Sequence, residues 1–371
     1  MIYFDHAATS LPKPNYVADA VVAALSDLGN SARGTHSAAL SAARTLFAAR
    51  SELANLFGVP GAEQVCFCQN ATMALNAAIA GVCGHIVTTA AEHNSVLRPV
   101  YRHGNYTIVP ADPLGRIAPE AIAAATQPDT AAVVMTHGSN VTGNLFDIAA
   151  VGRICAERGL RFIVDAAQTA GVFPIHMVEM HISALCFSGH KSLWAPEGVG
   201  ALCLAQGFSP PPLLVGGSGA QSKSPAHPQQ LPEALEAGTQ NAHGIAGLLA
   251  ALPHVRRDME CNRQTANALA RRFTEKVKAL GGFTLYGDLN ALQRLPIVTL
   301  NHQRMDGATL AFALADRFDI AVRAGLHCAP LMHAALGTDE AGAMRFSFSH
   351  CNTTAEIDLA ISALQEVTKS C

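Results

Sequence analysis

The sequence is poor in charged and aromatic residues. Only 14% of its 371 residues are charged, 6% are aromatic, and a single tryptophan is present. The 25 lysines and arginines do not outnumber the 28 aspartates and glutamates, so there is no basic excess that would favour nucleic acid or an anionic membrane as a partner. Half of the residues are hydrophobic, which excludes an intrinsically disordered chain and predicts a large core.

Targeting and membrane-spanning signals are also absent from the sequence. Residues 1–6 show no basic region followed by an apolar stretch, so no signal peptide is indicated. Polar or charged residues interrupt the apolar segments before the roughly 20 residues that a membrane-spanning helix needs. We therefore expect a cytoplasmic protein. With about 150 residues per domain as a guide, the length predicts two domains.

Ten cysteines are present, but their spacing does not indicate a metal site. Cys66 and Cys68 are one residue apart in a predicted strand, which is not the spacing of a zinc site. In a long cytosolic chain the default is a reduced and mostly buried thiol, so we expect no bound metal. Only Cys328, which follows His327 in a loop with Gly325, stands in a setting that suggests chemistry.

A lysine and an aspartate each follow a predicted strand. Lys191 ends the segment 186–191, where small and hydroxyl residues follow an apolar run. A lysine at such a pocket mouth suits a Schiff base with a carbonyl cofactor, although a solvated loop lysine is the simpler alternative. Asp165 follows the apolar run Phe162–Val164, and open α/β sheets bind ligands beyond the carboxyl ends of their strands. This carboxylate is compatible with a helix cap, or with keeping a pyridine ring protonated as an electron sink. The pair predicts pyridoxal 5'-phosphate (PLP) as cofactor.

Other candidates follow further predicted strands. Ala71 and Thr72 lie in a small-residue turn between the predicted strand 65–68 and a helix, where free backbone N–H groups suit a phosphate. An ordinary capped helix explains the same pattern. His93 and Asn140 each follow another apolar run. Strands that alternate with helices throughout this region predict a mainly parallel sheet.

Several of these motifs resemble those of one enzyme superfamily. The segments Val164–Gln168 and Ser188–Lys191 resemble the class V (fold type I) PLP-dependent aminotransferase superfamily, in particular its cysteine desulfurase and selenocysteine lyase family. The resemblance runs from Tyr3 to Asp358. It implies the PLP-dependent transferase fold of type I, an α/β fold in which a large domain with a mainly parallel seven-stranded sheet is joined to a smaller α+β domain. We expect the large domain to comprise residues 15–252. The small domain then comprises residues 1–14 and 253–371.

The resemblance also implies the cofactor site. Lys191 would hold PLP covalently, Asp165 would pair with its ring nitrogen, and His93 would stack on the ring and shuttle protons. Thr239 would reach the phosphate in the other subunit, so the family implies a homodimer with shared active sites. Two positions, Met73 and His6, depart from the family pattern. The implied cofactor-binding residues are Ala71, Thr72, His93, Asn140, Asp165, Gln168, Ser188, His190, Lys191 and Thr239.

The loop around Cys328 indicates the type of reaction. Residues 323–329 match the family's Arg-x-Gly-x-His-Cys-Ala group, in which the cysteine is the nucleophile; a buried structural cysteine is the alternative. The short loop implies a less mobile thiol, which would pass sulfur to an acceptor protein. Arg345 suits bidentate binding of a substrate carboxylate, with Arg323 as a second candidate and Ala8 as a further substrate contact.

These residues together predict a PLP-dependent cysteine desulfurase. It would convert L-cysteine to L-alanine and leave a persulfide on Cys328. The alternatives are a selenocysteine lyase acting on L-selenocysteine, another PLP-dependent C–S lyase or an epimerase, and, more remotely, a scaffold of the same fold without catalytic activity.

The sequence also predicts details of individual elements. Thr35 or Ser37 is expected to cap a helix that ends at Gly58, near Arg33. A long helix from Ala242 is expected to break at Pro253. Residues 321–323 are expected to form one strand, and the Pro-, Gly- and Ser-rich stretch 207–237 is expected to be a loop near the dimer interface.

Overall fold

The computed structural model describes residues 1–31 and 34–369, so Arg33 lies outside the described residues. The helices of this part of the chain are α1 (Asn15–Asp27), α2 (Ser37–Phe57), α3 (Ala71–Ala80), α4 (Asn94–His103), α5 (Pro119–Ala125), α6 (Ile148–Glu157), α7 (Ala242–Leu280), α8 (Gly307–Phe318), α9 (Pro330–Leu336) and α10 (Thr354–Lys369). Its strands are β1 (Ile2–Tyr3), β2 (Val65–Cys68), β3 (His85–Thr89), β4 (Tyr106–Val109), β5 (Thr130–Thr136), β6 (Arg161–Asp165), β7 (Ala184–Ser188), β8 (Gly200–Leu204), β9 (Phe283–Tyr286), β10 (Ile297–His302), β11 (Ile320–Ala321), β12 (Arg323–Gly325) and β13 (Ala343–Ser347).

The larger sheet has seven strands in the order β2-β8-β7-β6-β5-β3-β4. All neighbouring strands from β7 to β4 run parallel, whereas β8 runs antiparallel to both β2 and β7. Alternate residues of β5 enter two different cores, Val133 and Met135 on one face and Ala132 and Val134 on the other. A sheet covered on both faces explains why its strands read as continuous apolar runs. The predicted α/β fold with a mainly parallel seven-stranded sheet is confirmed.

The smaller sheet is antiparallel and has the order β12-β13-β10-β9. Its core combines Phe4 with residues of α7, α8 and α10, and it centres on Phe273 and Phe346, whose rings lie 4.5 Å apart. The prediction of one strand over 321–323 was wrong. Ala321 ends β11, which pairs with β1, and Arg323 begins β12, which pairs with β13, so the chain changes partners at Val322.

Helix α7 runs for 39 residues without a break, so the predicted interruption at Pro253 was also wrong. A proline removes one backbone hydrogen bond from a helix. Here Leu252 and Val255 on either side are buried in the large core, and this packing holds the helix together. Further along, the same helix buries Phe273 in the core of the small sheet. It therefore spans both cores.

Helix α2 begins and ends at well-defined caps. The ring of His36 accepts the backbone N–H of Ala39, so neither Thr35 nor Ser37 is the cap that the sequence predicted. Gly58 ends the helix as predicted, with φ of 60°. A Cβ at that position would meet the ring of His176 at 2.4 Å, so glycine is needed for space as well as for conformation.

The described residues contain neither a disulfide nor a cluster of metal ligands. Their nine cysteines are all free thiols, and they contain no group of three or more His, Cys, Asp or Glu side chains that could hold a metal ion. None of the helices described above is long and apolar enough to cross a membrane. The stretch 207–237, which is described throughout, contains no helix or strand.

Candidate active site

Four parallel strands of the large sheet, β3, β5, β6 and β7, end at one edge, where the chain turns polar. Together with the N-terminal segment and the small sheet, these ends enclose a cavity of about 410 Å³. The cavity brings together all but one of the residues that the sequence predicted for the site, namely Ala8, Ala71, Thr72, His93, Asn140, Asp165, Gln168, Ser188, His190, Lys191, Arg323, Cys328 and Arg345.

Thr239 is the exception. It lines a separate cavity of about 660 Å³, beside the buried ion pair of Arg50 and Glu236. Met73, a departure from the family pattern, lies outside the 410 Å³ cavity too and lines a small apolar pocket with Leu202 and Leu235.

Lys191 lies in a tight turn after β7. The backbone N–H of Trp194 donates to the Lys191 carbonyl at 3.0 Å, and that of Ala195 donates to the Gly189 carbonyl at 3.0 Å. The preceding carbonyl, of His190, accepts from the backbone N–H of Ser10 at 3.1 Å, so the N-terminal segment helps to fix the lysine. Burial lowers the pKa of Lys191 to about 8, against the attraction of nearby Asp165. A neutral, nucleophilic amine is therefore accessible near neutral pH.

Asp165 is buried at the end of β6. Its Oδ1 accepts the backbone N–H of Ala167 at 2.9 Å. Burial raises the pKa of this carboxyl, while the Ala167 N–H and the charge of Lys191 oppose the rise. An anion in this position attracts a cationic or protonated partner within the cavity.

His93 is the N-cap of α4. Its Nδ1 accepts the backbone N–H of Ser95 at 3.0 Å, so the ring proton of the neutral imidazole lies on Nε2. Burial and then the charge of Lys191 lower the pKa of His93 to about 4. The ring is therefore neutral at physiological pH and held in one orientation by its own helix.

The N-terminus of α3 presents hydrogen-bonding groups to the cavity. Asn70 caps the helix by accepting the backbone N–H of Met73, and the Ala71 N–H donates to Ser188 Oγ at 2.9 Å. The hydroxyls of Thr72 and Ser95 lie 2.7 Å apart. A helix N-terminus ringed by hydroxyls is a donor set that suits a phosphate.

Two arginines from the small sheet share one carboxylate at the far side of the cavity. Asp5 pairs with Arg345 Nη2 at 2.8 Å and with Arg323 Nε at 3.0 Å. Arg345 is buried, its Nη1 donates to the Asn140 carbonyl at 3.0 Å, and its Nε has no hydrogen-bond partner among the described residues. Two guanidiniums facing one carboxylate leave a positive charge for an anionic ligand.

Cys328 lies on a short loop between β12 and α9, and its side chain is exposed to the cavity. Both His327 and Cys328 have positive φ, of 48° and 55°. Their carbonyls are anchored, that of His327 by Asn140 Nδ2 at 2.8 Å and that of Cys328 by the backbone N–H of Asn94 at 2.7 Å. The thiol is therefore presented by a constrained loop rather than a long flexible one.

Sequence reasoning missed several residues in and around the cavity. Asp5 carried no signal of its own, because its two arginine partners lie more than 300 residues away along the chain. Ser95 could have been found, since it follows His93 at the spacing of a helix cap. Glu92 is buried beneath the cavity edge and accepts hydrogen bonds from Thr89 Oγ1 and the backbone N–H of Thr136.

Comparison with known proteins relates this chain to one family. Residues 2–359 match the model of the family described as Aminotransferase class-V. The chain is 32% identical to the cysteine desulfurase IscS of Vibrio campbellii, with 99% of this chain and 93% of the relative covered. It is 30% identical to a probable cysteine desulfurase of Methanothermobacter thermautotrophicus, over 99% of this chain and 94% of the relative.

Solved structures give the same result. The apo structure of a cysteine desulfurase from Thermococcus onnurineus superposes with a TM-score of 0.92 at 29% identity, covering 100% of this chain and 95% of that one. The cysteine desulfurase CsdA from Escherichia coli superposes with a TM-score of 0.88 at 26% identity, covering 99% and 94%.

Proposed function

Because the chain belongs to the class-V aminotransferase family, we propose that it is a PLP-dependent cysteine desulfurase that removes sulfur from L-cysteine. One observation carries the proposal: a single cavity contains an amine, a buried carboxylate, a buried guanidinium and an exposed thiol, those of Lys191, Asp165, Arg345 and Cys328. These are the groups that the reaction needs in order to hold the cofactor, orient the substrate and accept sulfur.

The residues of the cavity fit PLP. Lys191 offers an amine for its aldehyde, Asp165 a carboxylate for its ring nitrogen, and the N-terminus of α3 with Thr72 and Ser188 a donor set for its phosphate. The volume of about 410 Å³ lies within the usual range for small-molecule sites. We assign Ala71, His93, Asn140, Gln168 and His190, which also line the cavity, to the same binding site.

Bound there, PLP would supply an aldehyde that links to an amine and a ring that withdraws electrons from the substrate Cα. Lys191 takes a proton at Nζ and returns it, because its lowered pKa lets the amine exist in both protonation states near neutral pH. His93, neutral and fixed by its hydrogen bonds, provides a flat ring on which the cofactor can stack.

Arg345 orients the substrate. Its guanidinium, only partly neutralised by Asp5, binds the α-carboxylate, and the exposed Arg323 lies next to it on β12, with Ala8 at the cavity wall. Cys328 then accepts the sulfur. Its thiolate forms a bond to the substrate sulfur, the Cβ–S bond breaks, and the electron pair stays on the carbon, which takes up a proton as L-alanine forms. The product on the enzyme is a persulfide of Cys328.

The anchored loop suggests how the persulfide is discharged. The carbonyls of His327 and Cys328 each accept a hydrogen bond that holds the loop in place. The thiol therefore has little freedom to move, and an acceptor protein would have to bind beside it. We also propose that the enzyme is a cytoplasmic homodimer in which Thr239 completes the phosphate site of the partner, with the stretch 207–237 near the interface. Thr239 lines a cavity away from Lys191 in its own chain, as this arrangement requires.

The product analysis tests the proposed function. Purified protein loaded with PLP is incubated with L-cysteine and a reductant, and alanine, pyruvate and sulfide are quantified. We expect alanine and sulfide in equal amounts. Cys328→Ala should keep bound PLP but lose turnover by about 100-fold or more, because the sulfur acceptor is gone.

Two results would contradict the proposal. Pyruvate in place of alanine would identify a different C–S lyase. Selenide release from L-selenocysteine without any sulfide from L-cysteine would identify a selenocysteine lyase. Parallel incubations with L-cysteine and with L-selenocysteine therefore distinguish the rival activities.

A further inference from the structure

A pair of stacked histidines lies behind the Cys328 loop. The rings of His327 and His333 are nearly parallel, at 16°, with centroids 5.4 Å apart, and His327 Nδ1 lies 3.2 Å from His333 Nε2. On its other side, His333 Nδ1 lies 2.7 Å from Thr338 Oγ1. The pair and the threonine form a continuous hydrogen-bonded chain that ends at the residue before the thiol.

These three hydrogen-bonded side chains become buried with distance from the cavity. His333 is fully buried and Thr338 is only 3% exposed, whereas His327 lines the cavity. A neutral imidazole has one N–H and one acceptor nitrogen, and a hydroxyl can both donate and accept. His333 therefore satisfies both of its nitrogens only if His327 and Thr338 stay in place on either side.

The loop that these residues support has an unfavourable backbone. His327 and Cys328 both have φ in the left-handed region, which is uncommon for two adjacent non-glycine residues. Such a conformation persists only where its surroundings hold it. Hydrogen bonds from the Asn94 backbone N–H and from Asn140 Nδ2 hold the two carbonyls. The His327 ring has two partners, the Arg323 carbonyl at 3.4 Å from its Nε2 and His333 Nε2 at 3.2 Å from its Nδ1, and the second of these joins the ring to α9.

We propose that His333 and Thr338 are positioning residues for the reaction: they hold the ring of His327 so that the left-handed loop presents the Cys328 thiol to the cavity. The inference rests on the proposed function in one respect, the role of Cys328 as sulfur acceptor. It predicts that releasing the ring lets the loop leave its anchored conformation more often, so that the hydrogen bond from the Asn94 N–H to the Cys328 carbonyl opens and turnover falls.

Amide hydrogen exchange in the full-length protein tests this directly. Exchange at the backbone N–H of Asn94, which donates to the Cys328 carbonyl, is followed by mass spectrometry, with and without PLP. Loss of one hydrogen bond, worth roughly 1 kcal/mol, corresponds to about a fivefold larger population of the released loop, so this N–H should exchange about fivefold faster in His333→Leu. Its kcat should fall about 10-fold to 100-fold, as for a misplaced reacting group, with little change in KM for L-cysteine.

Conservative variants separate positioning from packing. His333→Gln keeps an amide near the position of Nε2, and it should recover most of the kcat and return the exchange rate of the Asn94 N–H towards that of the wild type. Thr338→Ser keeps the hydroxyl and should behave in the same way, whereas Thr338→Val should resemble His333→Leu. His85→Leu is the matched control, because His85 is a buried histidine bonded to Thr130 Oγ1 and Thr107 Oγ1 at the opposite end of β3.

The outcomes are distinct from those that test the activity. Faster exchange of the Asn94 N–H in His333→Leu but not in His85→Leu, reversed by His333→Gln, supports the inference even if Cys328→Ala shows that another cysteine accepts sulfur. Unchanged exchange of this N–H in both His333→Leu and Thr338→Val overturns it. If His333→Leu also speeds exchange throughout the central strand β5, the protein has opened globally, and the Thr338 pair then decides by the same criteria.

Discussion

Burial sets the protonation states of the side chains that face Lys191. The amine loses affinity for its proton, and the rings of His93 and His190 are kept neutral, each with a pKa lowered to about 4 by burial first and by the lysine second. The remaining charged residues that line the cavity are Asp165, Glu197 and the two arginines of the small sheet. A reactive amine, a neutral stacking ring and a carboxylate thus occur together because one cavity is largely removed from water.

The role of Lys191 is tested by replacing it. Lys191→Ala should abolish the absorbance of covalently bound PLP and all turnover, because no other amine lines the cavity among the described residues. Lys191→Arg retains a positive charge without a nucleophilic amine, so it should fail equally. Wild-type turnover in either variant would show that the assignment is wrong.

The lowered pKa of Lys191 predicts a pH dependence in the cofactor-free protein. The neutral amine reacts with the aldehyde, so the rate of PLP uptake should rise with pH and level off above a midpoint near 8. Rapid-mixing absorbance measures this rate. A midpoint close to 10.5, the ordinary value for lysine, would mean that burial does not act on this amine.

At the scale of elements, the sequence predicted those strands whose position is determined by local composition. The apolar runs predicted the strands around Val133, Ile163 and Leu185, because strands covered on both faces leave a continuous signal. The ends of these strands predicted Lys191 and Asp165 as site residues, whereas the roles of His93, Asn140 and Gln168 came from the family resemblance. Pro253 misled the prediction, since tertiary packing outweighed its local cost, and Asp5 went unnoticed, since only the fold brings its arginines to it.

The ion pairs of Asp5 with two arginines should stabilise the contact between the N-terminal segment and the small sheet. Asp5→Ala removes the carboxylate shared by Arg323 and the buried Arg345, and breaking a buried pair costs about 3–5 kcal/mol of unfolding free energy. Urea denaturation of the cofactor-free protein measures the loss. Asp319→Ala is the control, because Asp319 pairs with the N-terminal amine of Met1 on the surface and should cost only about 0–1 kcal/mol.

The comparison of these two variants is decisive. If Asp5→Ala were no less stable than Asp319→Ala, the buried carboxylate would not hold the segment in place. The positioning of Ala8 and of the His190 carbonyl by residues 7–10 would then need another explanation.

For the whole molecule, one helix joins the core on one face of the large sheet to the core of the small sheet. The first half of α7 packs in the former and the second half in the latter, while β1 pairs with β11 and Phe4, next to it, enters the core of the small sheet. The division into domains at residues 14/15 and 252/253 stays a prediction, as does the homodimer. Composition cannot reveal a contact between subunits; the position of Thr239, which lines a different cavity from Lys191 in its own chain, is the structural observation that bears on it.

Shared active sites predict complementation between two impaired chains. Thr239→Ala should weaken PLP binding about 10-fold or more, through loss of a hydrogen bond to a charged group. In a purified heterodimer of Lys191→Ala and Thr239→Ala chains, one site then contains both native residues, so about half of the wild-type activity per dimer should be seen at a PLP concentration that leaves the Thr239→Ala homodimer mostly unoccupied. If Thr239 served its own chain, neither site would be intact, and the heterodimer would be no more active than the Thr239→Ala homodimer at that concentration.

The most direct test of the account is to find where the sulfur goes. PLP-loaded protein is exposed briefly to L-cysteine without reductant, the thiols and persulfides are trapped, and each cysteine-containing peptide is weighed. We predict one added sulfur atom on the peptide that contains Cys328, and none on that peptide in Lys191→Ala. Sulfur found instead on the exposed Cys83, Cys261 or Cys351, with Cys328 unmodified, would contradict the account.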